Sequence, residues 1–339
     1  MVLNKNVATN TAETKTLDQG DTDTDSSNNW NMLKDMPTVY KTIEERGLTH
    51  HLQDLEVKGI TVIPPEKIGD DSILHRAREA ILRISEERTG VKHDIDNGDH
   101  GNLNEQGCNN TQNVLYGFFE EDPVFEEIVQ HPMTLPLIEY FLGTHCNLSS
   151  LTSFVKWKDQ VGYGENLGMH DDSVLYQGPV LPAIGLHKFN TNWILTDYTK
   201  DNGALCVVPG SHKLCRHPKP GEGVEDAVEI EAPAGSVLAF HGNLWHGAFP
   251  KKTEGLRISV NCDYCGRHYR LQENFQGRLS MEVLERNDSR FQELMGYNDH
   301  MGWKDLHGPV PWSLRESWGS LTDSEKKDLV DEMKRKGHY

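Results

Sequence analysis

Hydrophobic positions change their period along the chain, from helical spacing near the start to strand alternation in the middle. Residues 38–57 carry apolar side chains at three- and four-residue intervals, and residues 71–87 have a single apolar stripe, so both segments are predicted to be helices. Residues 60–63, between them, are predicted to form a short strand because Pro64 and Pro65 end it.

Short strand-like segments dominate the middle of the chain. Each of them ends at a turn signal, such as the Asp-Asn-Gly sequence of residues 201–203. The predicted strands are residues 151–157, 189–196, 204–208, 227–232, 236–241 and 256–264. Several short strands at this spacing are typical of an antiparallel sandwich or barrel.

Helical patterns lie on both sides of this β region. Residues 122–142 have helical spacing with a break at an internal proline, and the chain is again helical beyond residue 278. Thr322 and Glu325 have the spacing of a capping box, which predicts a last helix to about residue 336. We therefore predict a mainly β fold with flanking helices.

The first residues differ in composition from the rest of the chain. Residues 1–29 are rich in Thr, Asn, Asp and Ser and contain no aromatic residue. Such a segment cannot bury enough apolar surface to offset the entropy of ordering it. We predict a disordered N-terminal tail over residues 1–35 and a single domain over residues 36–339, with helical extensions at both ends of the β core.

Composition and charge narrow the classes of partner. The net charge of −18 argues against non-specific binding to nucleic acid or anionic membranes, which needs clustered Lys and Arg. No apolar run approaches the roughly 20 residues that span a bilayer, and the N-terminus lacks the apolar core of a signal peptide. We therefore predict a cytoplasmic protein with no nucleic-acid or membrane partner, and six cysteines that are reduced.

One pair of cysteines has the spacing of metal and redox sites. Cys262 and Cys265 are separated by two residues, but no second pair at zinc-ribbon spacing accompanies them in the sequence. The segment also alternates as a strand does. A structural role is therefore favoured over a functional one.

A histidine and a carboxylate two residues apart provide the first candidate metal site. Alternate side chains of an extended segment share a face, so His170 and Asp172 can bind one ion while Asp171 points away. With 17 His and 52 acidic residues in the chain, about 2.6 such pairs are expected by chance. Without further support, a solvated turn pair is the favoured interpretation.

The further support lies downstream, where Trp245-His246-Gly247 follows a predicted strand. The next predicted strand carries Arg257 and Ser259 on one face. A guanidinium binds a carboxylate through two parallel hydrogen bonds, and a neighbouring hydroxyl can add a third. Two imidazoles with one carboxylate are the ligand set of non-haem iron oxygenases. The alternative for Arg257 is an ordinary surface ion pair.

Three segments together resemble the phytanoyl-CoA dioxygenase family of 2-oxoglutarate oxygenases. Residues 168–172, with the sequence GMHDD, resemble the family's metal-binding strand. Residues 201–212 match its hairpin pattern NGALxVxPGSH almost residue for residue. Residues 239–247, continuing to 255–259, resemble its distal metal-binding histidine and its 2-oxoglutarate arginine. The resemblance covers roughly residues 55–270.

This resemblance implies a fold, cofactors and site residues. The fold is a double-stranded β-helix of the jelly-roll or cupin type, and the reaction uses iron(II), 2-oxoglutarate and dioxygen, with ascorbate as the reductant in vitro. His170, Asp172 and His246 are implied as the metal ligands and the catalytic centre. Arg257, with Ser259 as helper, is implied as the anchor for the distal carboxylate of 2-oxoglutarate.

Four further residues qualify the resemblance. Trp193 matches a strand tryptophan that lies near the co-substrate in some members, although a core aromatic residue is at least as good an interpretation. Asp171 stands where the family often has Gln, so its side chain either alters co-substrate contacts or faces solvent. Ala248 stands where a helper Ser is frequent. His241, five residues before His246, is an alternative ligand that the family pattern disfavours.

The predicted function is oxidation of an unactivated C–H bond in a small organic substrate, by hydroxylation or a related outcome, with release of succinate and carbon dioxide. Asp172 stands where related halogenases have a small residue, which favours an oxygen-derived product. Residues 96–113 and 173–188 are candidate lids, and the apolar residues of the second favour a largely hydrophobic substrate. The alternatives are a catalytically silent β-barrel that binds a small molecule or metal, and a non-oxidative metalloenzyme of the same fold.

Overall fold

Two antiparallel sheets form the core of the structure. The structure, a computed structural model, describes residues 36–69, 71–98, 113–158, 166–173, 187–297 and 322–335. The predicted disordered tail, residues 1–35, lies outside the described residues.

Nine strands build the two sheets within the described part of the chain. They are β1 (Ile60–Ile63), β2 (Asn113–Tyr116), β3 (Asn147–Lys156), β4 (Lys188–Ile194), β5 (Leu205–Val207), β6 (Val228–Glu229), β7 (Val237–His241), β8 (His246–Ala248) and β9 (Arg257–Cys265). The large sheet has the order β1-β7-β4-β9-β3-β2, and the small sheet has the order β6-β5-β8. From β4 onward the chain passes repeatedly from one sheet to the other, as in a jelly roll. The predicted fold class is confirmed.

Helices lie before β1, between β1 and β3, and after β9. They are α1 (Met36–Glu45), α2 (Thr49–Lys58), α3 (Pro65–Ile68), α4 (Asp71–Thr89), α5 (Val124–Val129), α6 (Leu135–Leu142), α7 (Met281–Arg286), α8 (Ser289–Leu294) and α9 (Asp323–Arg335). The segment predicted as one helix over residues 38–57 is divided at Gly47, which has a φ of 62°. None of the described helices combines the length and the apolar composition that crossing a membrane requires.

The capping box predicted for the last helix is present. The Thr322 N–H donates to Glu325 Oε2 at 2.8 Å, and the Glu325 N–H donates to Thr322 Oγ1 at 3.4 Å. These two reciprocal bonds satisfy amide groups that the first helical turn leaves without a partner. The start of α9 is therefore determined by local sequence.

Two strands were not predicted from the sequence. β8 has three residues, too few for an alternating pattern to be recognised, and the four-residue β2 lacks the pair of prolines that ends β1. Both form because a neighbouring strand supplies hydrogen-bond partners: β2 pairs with β3, and β8 pairs with β5. β8 begins at His246, one of the predicted metal ligands.

The large sheet is buried on both faces, since helices cover one face and the small sheet covers the other. In β7, Val237 packs among the helices, whereas its neighbour Leu238 packs between the sheets. In β9, Ile258 packs among the helices, whereas Arg257 borders a cavity between the sheets. This alternation follows the period of two of an extended chain. Each fully buried aliphatic side chain contributes about 1.5–3 kcal/mol to folding.

Cys262 and Cys265 do not form a joint site. They lie three positions apart on β9, so their side chains point to opposite faces of the sheet. Both are buried free thiols. Burial raises the pKa of each thiol to about 12, which disfavours thiolate chemistry. The structural role favoured by the sequence agrees with this arrangement.

Two buried histidines couple stability to pH. Burial, assisted by the neighbouring His50, lowers the pKa of His51 to about 4. Burial, assisted by His212, lowers the pKa of His241 to about 3. In an unfolded chain both side chains have a pKa near 6.5. Between these values the unfolded state binds more protons than the folded state, so acid favours unfolding.

We therefore expect the free energy of unfolding to decrease as the pH falls from about 6.5 towards 4, and these two groups to add no slope above about pH 7. Urea unfolding at several pH values measures this dependence. His241→Asn should reduce the loss of stability in acid, because one titrating group is removed. His75→Asn, at an exposed histidine, is the matched control and should keep the original slope. An identical slope in both variants would contradict the assignment to His241.

Candidate metal centre

Three predicted ligand residues converge between the sheets. His170, Asp172 and His246 each offer one ligand atom, and these atoms lie within 4.8 Å of one another. The Nε2 atom of His170 is 3.8 Å from Asp172 Oδ1, and that of His246 is 3.6 Å from Asp172 Oδ2. Among the described residues, no other group of three His, Cys or acidic side chains meets this condition. His170 and Asp172 are partly exposed, but they belong to a cluster with His246, as the metal-site interpretation requires.

Backbone pairing holds the two histidines side by side. The His170 N–H donates to the His246 carbonyl at 2.9 Å, and the His246 N–H donates to the His170 carbonyl at 2.8 Å. The Asp172 N–H also donates to the Gly242 carbonyl at 2.8 Å. The short segment with the first two candidate ligands is thus fastened to the chain that leads into β8.

Both imidazoles present Nε2 to the centre because Nδ1 is engaged elsewhere. His170 Nδ1 donates to the Gly168 carbonyl at 2.6 Å, and His246 Nδ1 donates to the Leu244 carbonyl at 2.9 Å. A carbonyl oxygen only accepts, so the proton lies on Nδ1 and Nε2 keeps its lone pair. Burial lowers the pKa of His246, which keeps its imidazole neutral. A metal ion requires this neutral form.

The two neighbouring carboxylates have different environments. Asn190, on β4, donates from Nδ2 to Asp172 Oδ2 at 2.5 Å and orients that carboxylate. Asp171 points away from the centre, as predicted, but it neither faces solvent nor lines the cavity. It lies 2.7 Å from His217 Nδ1 and accepts from the Ser173 N–H at 2.9 Å. Both environments expected for Asp171 are wrong, because its side chain turns into a buried local network.

A cavity of about 120 Å³ extends from the three side chains to Arg257. Phe154, Leu205 and Phe240 provide apolar wall, and Asn261 provides a polar group. The complete lining within the described residues is Phe154, His170, Asp172, Asn192, Tyr198, Leu205, Phe240, His246, Gly247, Ala248, Arg257 and Asn261. The candidate metal ligands and the candidate carboxylate anchor therefore border the same cavity.

Arg257 is a buried residue, with 4 % of its surface exposed. Its Nη1 donates to the Tyr198 hydroxyl at 2.7 Å, and this hydroxyl donates to Asn192 Oδ1 at 3.2 Å. The guanidinium also lies 5.0 Å from the centre of the Tyr198 ring. The surface ion pair that was the alternative for Arg257 is therefore wrong.

Ser259 lies two positions after Arg257 on β9. Its side chain is buried, and its Oγ has no hydrogen-bond partner among the described residues. A buried polar atom without a partner carries a free-energy cost unless a ligand or water satisfies it. A carboxylate held by Arg257 would supply an acceptor on this side of the strand.

Trp193 does not line the cavity. It belongs to the core on the helical side of β4, where its ring lies 5.2 Å from that of His131. The adjacent Asn192 lines the cavity instead. A shift of one position along a strand moves a side chain to the opposite face. The expected contact between Trp193 and the co-substrate is therefore wrong, and the core aromatic interpretation is right.

His241 lies outside the cluster of ligand atoms. Its Nδ1 accepts from the Asn243 N–H at 3.1 Å, and its ring packs 5.0 Å from that of His212. His246, and not His241, joins His170 and Asp172. The histidine that the family pattern favoured is the one that lies in the cluster.

Polar residues of β4 and β9 were missed by the sequence analysis. On β4, the two polar residues Asn190 and Asn192 are two positions apart. On β9, Asn261 continues the alternate positions of Arg257 and Ser259. That spacing signals a polar face between the sheets. Tyr198 carried no comparable signal because it lies in the connection after β4. The lid candidates fall mainly on residues 99–112 and 174–186, which lie outside the described residues.

Gly247 allows the two segments that carry the candidate ligands to approach each other closely. A Cβ atom at this position would lie 2.2 Å from the Leu167 carbonyl. Gly247→Ala should push that backbone away, loosen the pairing of His170 with His246, and weaken metal binding about 10- to 100-fold. Anaerobic titration with manganese(II) or iron(II) measures the affinity.

Gly90→Ala is the control, since an added Cβ there meets none of the described atoms within 4 Å. The strained φ of 71° should lower stability and leave metal affinity unchanged. Equal affinities for Gly247→Ala and the unaltered protein would contradict the role given to the close approach.

Known proteins are similar to part of this chain. Dioxygenase af480 of Aspergillus fumigatus is 29 % identical over 199 residues, which are 57 % of this chain and 62 % of the relative. A phytanoyl-CoA dioxygenase of Arabidopsis thaliana is 27 % identical over 227 residues, which are 61 % of this chain and 75 % of the relative. Of the first curated relatives that it matches, the chain spans at most 62 % of the length.

One solved structure resembles this chain at a lower sequence identity than these relatives. The crystal structure of HygX from Streptomyces hygroscopicus with nickel and 2-oxoglutarate bound has a TM-score of 0.49 and 18 % sequence identity. The match covers 65 % of this chain and 87 % of HygX. A similarity of this size adds nothing to the assignment of the family.

The family itself is assigned by a sequence profile. The profile described as phytanoyl-CoA dioxygenase (PhyH) matches residues 55–259, more than half of the chain. The matched range includes every predicted site residue from His170 to Ser259. The predicted family is confirmed: the chain belongs to the phytanoyl-CoA dioxygenase family.

Proposed function

We propose that this protein is an iron(II)- and 2-oxoglutarate-dependent oxygenase that oxidises a C–H bond of a small organic substrate. The observation that carries the proposal is the convergence of His170, Asp172 and His246 on one point. Membership of the phytanoyl-CoA dioxygenase family supports the same cofactor and co-substrate.

The three side chains fit iron(II) by their chemistry. Two neutral imidazole nitrogens and one carboxylate form a mixed nitrogen and oxygen donor set that leaves further coordination positions open. Both Nε2 lone pairs are directed by hydrogen bonds at Nδ1. Iron(II) bound there would supply the activation of dioxygen, coupled to oxidative decarboxylation of 2-oxoglutarate.

Arg257 is the proposed anchor for the distal carboxylate of 2-oxoglutarate. It is buried, it is fixed by Tyr198, and it borders the same cavity as the candidate ligands. The Ser259 hydroxyl is proposed to donate a further hydrogen bond, which would satisfy a buried atom that otherwise lacks a partner among the described residues.

The remaining cavity residues would exclude water and orient the reactants. Phe154, Leu205 and Phe240 form apolar walls, and the cavity lies between two packed sheets. In the proposed reaction, substrate, dioxygen and 2-oxoglutarate yield hydroxylated substrate, succinate and carbon dioxide. The apolar walls support a largely hydrophobic substrate, and with substrate bound they would limit side reactions with solvent.

A catalytically silent protein of the same fold is the second candidate. It would bind metal or 2-oxoglutarate and release no succinate. The complete set of candidate ligands, with Arg257 bordering the same cavity, favours catalysis. A non-oxidative metalloenzyme would retain activity without dioxygen.

We expect the purified protein with iron(II), ascorbate, dioxygen and a panel of small hydrophobic substrates to convert 2-oxoglutarate to succinate. His170→Ala and Asp172→Ala should each lower this rate more than about 100-fold, because loss of a ligand exceeds the effect of an outer-shell change. Succinate measured by mass spectrometry, with and without dioxygen, checks the reaction class.

His241→Asn is the matched control for the histidine variants. The Asn side chain can still accept from the Asn243 N–H, and His241 lies outside the ligand cluster. This variant should bind metal and form succinate as the unaltered protein does. Succinate formation that survives His170→Ala, or that is lost in His241→Asn with intact folding, would overturn the proposed centre.

A further inference from the structure

We propose that Lys156 is a second cation for the distal carboxylate of the co-substrate and acts with Arg257 across the β3–β9 pair. This inference rests on the proposed function, since it requires that 2-oxoglutarate binds with its distal carboxylate at Arg257. Lys156 would be a positioning residue for the co-substrate. It was not among the residues predicted from the sequence.

The position of Lys156 follows from the register of the large sheet. Lys156 on β3 lies directly opposite Arg257 on β9. Side chains of opposed residues share one face, with Cβ atoms about 4.5–5.5 Å apart. Phe154, two positions earlier on that face, lines the cavity. The stem of Lys156 therefore starts beside Arg257, next to the cavity residue Phe154, although Lys156 itself does not line the cavity.

Lys156 is fully buried, and its amine reaches from the large sheet towards the small sheet. Its Nζ donates to the Phe249 carbonyl, just beyond β8, at 2.8 Å. β8 carries His246, so Lys156 and the metal centre border the same small-sheet strand. Lys156 and Arg257 are two cationic side chains on one face of the sheet. A carboxylate held between them could accept a charge-assisted hydrogen bond from each.

Charged groups on three elements act on Lys156. Burial, followed by the charge of Arg257 on β9, lowers the pKa of Lys156 to about 7. Lys251, in the segment after β8, lowers the pKa further, and the Cys206 thiol on β5 acts in the opposite direction. Lys251 itself is tied to its own turn, where Nζ donates to the carbonyls of Thr253 and Glu254. Lys156 is thus the cation that faces Arg257 directly.

This arrangement predicts that binding of 2-oxoglutarate takes up a proton. In the free protein Lys156 is largely neutral above its pKa of about 7. A bound carboxylate favours the ammonium form, so binding should raise this pKa. The dissociation constant for 2-oxoglutarate should therefore rise with pH above about 7, by up to about tenfold per pH unit.

The experiment uses the full chain loaded with manganese(II), with calorimetric titration of two 2-oxo acids at about pH 6.5 and pH 8.5. 2-Oxoglutarate has the distal carboxylate, and 2-oxopentanoate has the same chain length without it. At the lower pH, Lys156→Met should weaken 2-oxoglutarate binding about 10- to 100-fold, the range for loss of a charged hydrogen bond. Binding of 2-oxopentanoate should be unchanged, and the effect should shrink at the higher pH.

Two further variants separate charge from structure. Lys158→Met is the matched control, because Lys158 lies near the same strand end but is partly exposed beside Glu254; it should leave both affinities unchanged. Lys156→Gln keeps a hydrogen-bond donor and removes the charge, so it serves if Lys156→Met does not fold.

In the unaltered protein, titration in buffers of different ionisation enthalpy should detect proton uptake with 2-oxoglutarate only.

The outcomes distinguish the inference from the function on which it rests. Equal losses for both 2-oxo acids would assign Lys156 a structural role and overturn the inference, as would unchanged 2-oxoglutarate binding in both Lys156 variants. If 2-oxoglutarate binding depends on Arg257 but not on Lys156, the proposed function stands and the inference fails. If the unaltered protein binds neither 2-oxo acid, the proposed function fails as well.

Discussion

The backbone pairing of His170 with His246 is the interaction on which the rest of the site depends. Two hydrogen bonds of 2.9 and 2.8 Å join a short irregular segment to β8 and place two imidazoles next to each other. Asp172 follows two positions later, on the same side of an extended chain. The absence of a side chain at Gly247 allows this approach. Without the pairing, the three side chains would have no common point.

The large sheet gives this pairing a rigid frame and a polar interior. One face packs against helices, and the other face borders the cavity between the sheets. Polar side chains are costly in such a place unless hydrogen bonds or ligands satisfy them. Asn190 bonds to Asp172 and Tyr198 bonds to Arg257, whereas the Ser259 hydroxyl has no partner among the described residues. The interior is therefore shaped for polar ligands at the site and for apolar packing elsewhere.

The wrong predictions share a physical cause. The expectation for Trp193 failed because a strand reverses its facing side at every residue, and Asn192 occupies the inner position. The expectations for Asp171 failed because a distant residue, His217, approaches it from another part of the chain. β8 was missed because three residues carry no period. Each error concerns contacts between segments that the linear order of residues does not encode.

The sequence by itself determined the mainly β class, the helical flanks, the family and the identity of His170, Asp172 and His246 as a candidate ligand set. These depend on local periodicity and on motifs that are short and contiguous. The tertiary structure alone decided that the three side chains meet, that Arg257 is buried beside Tyr198, and that Lys156 stands opposite Arg257. Strand register and sheet packing create these contacts, and they arise only when distant segments are brought together.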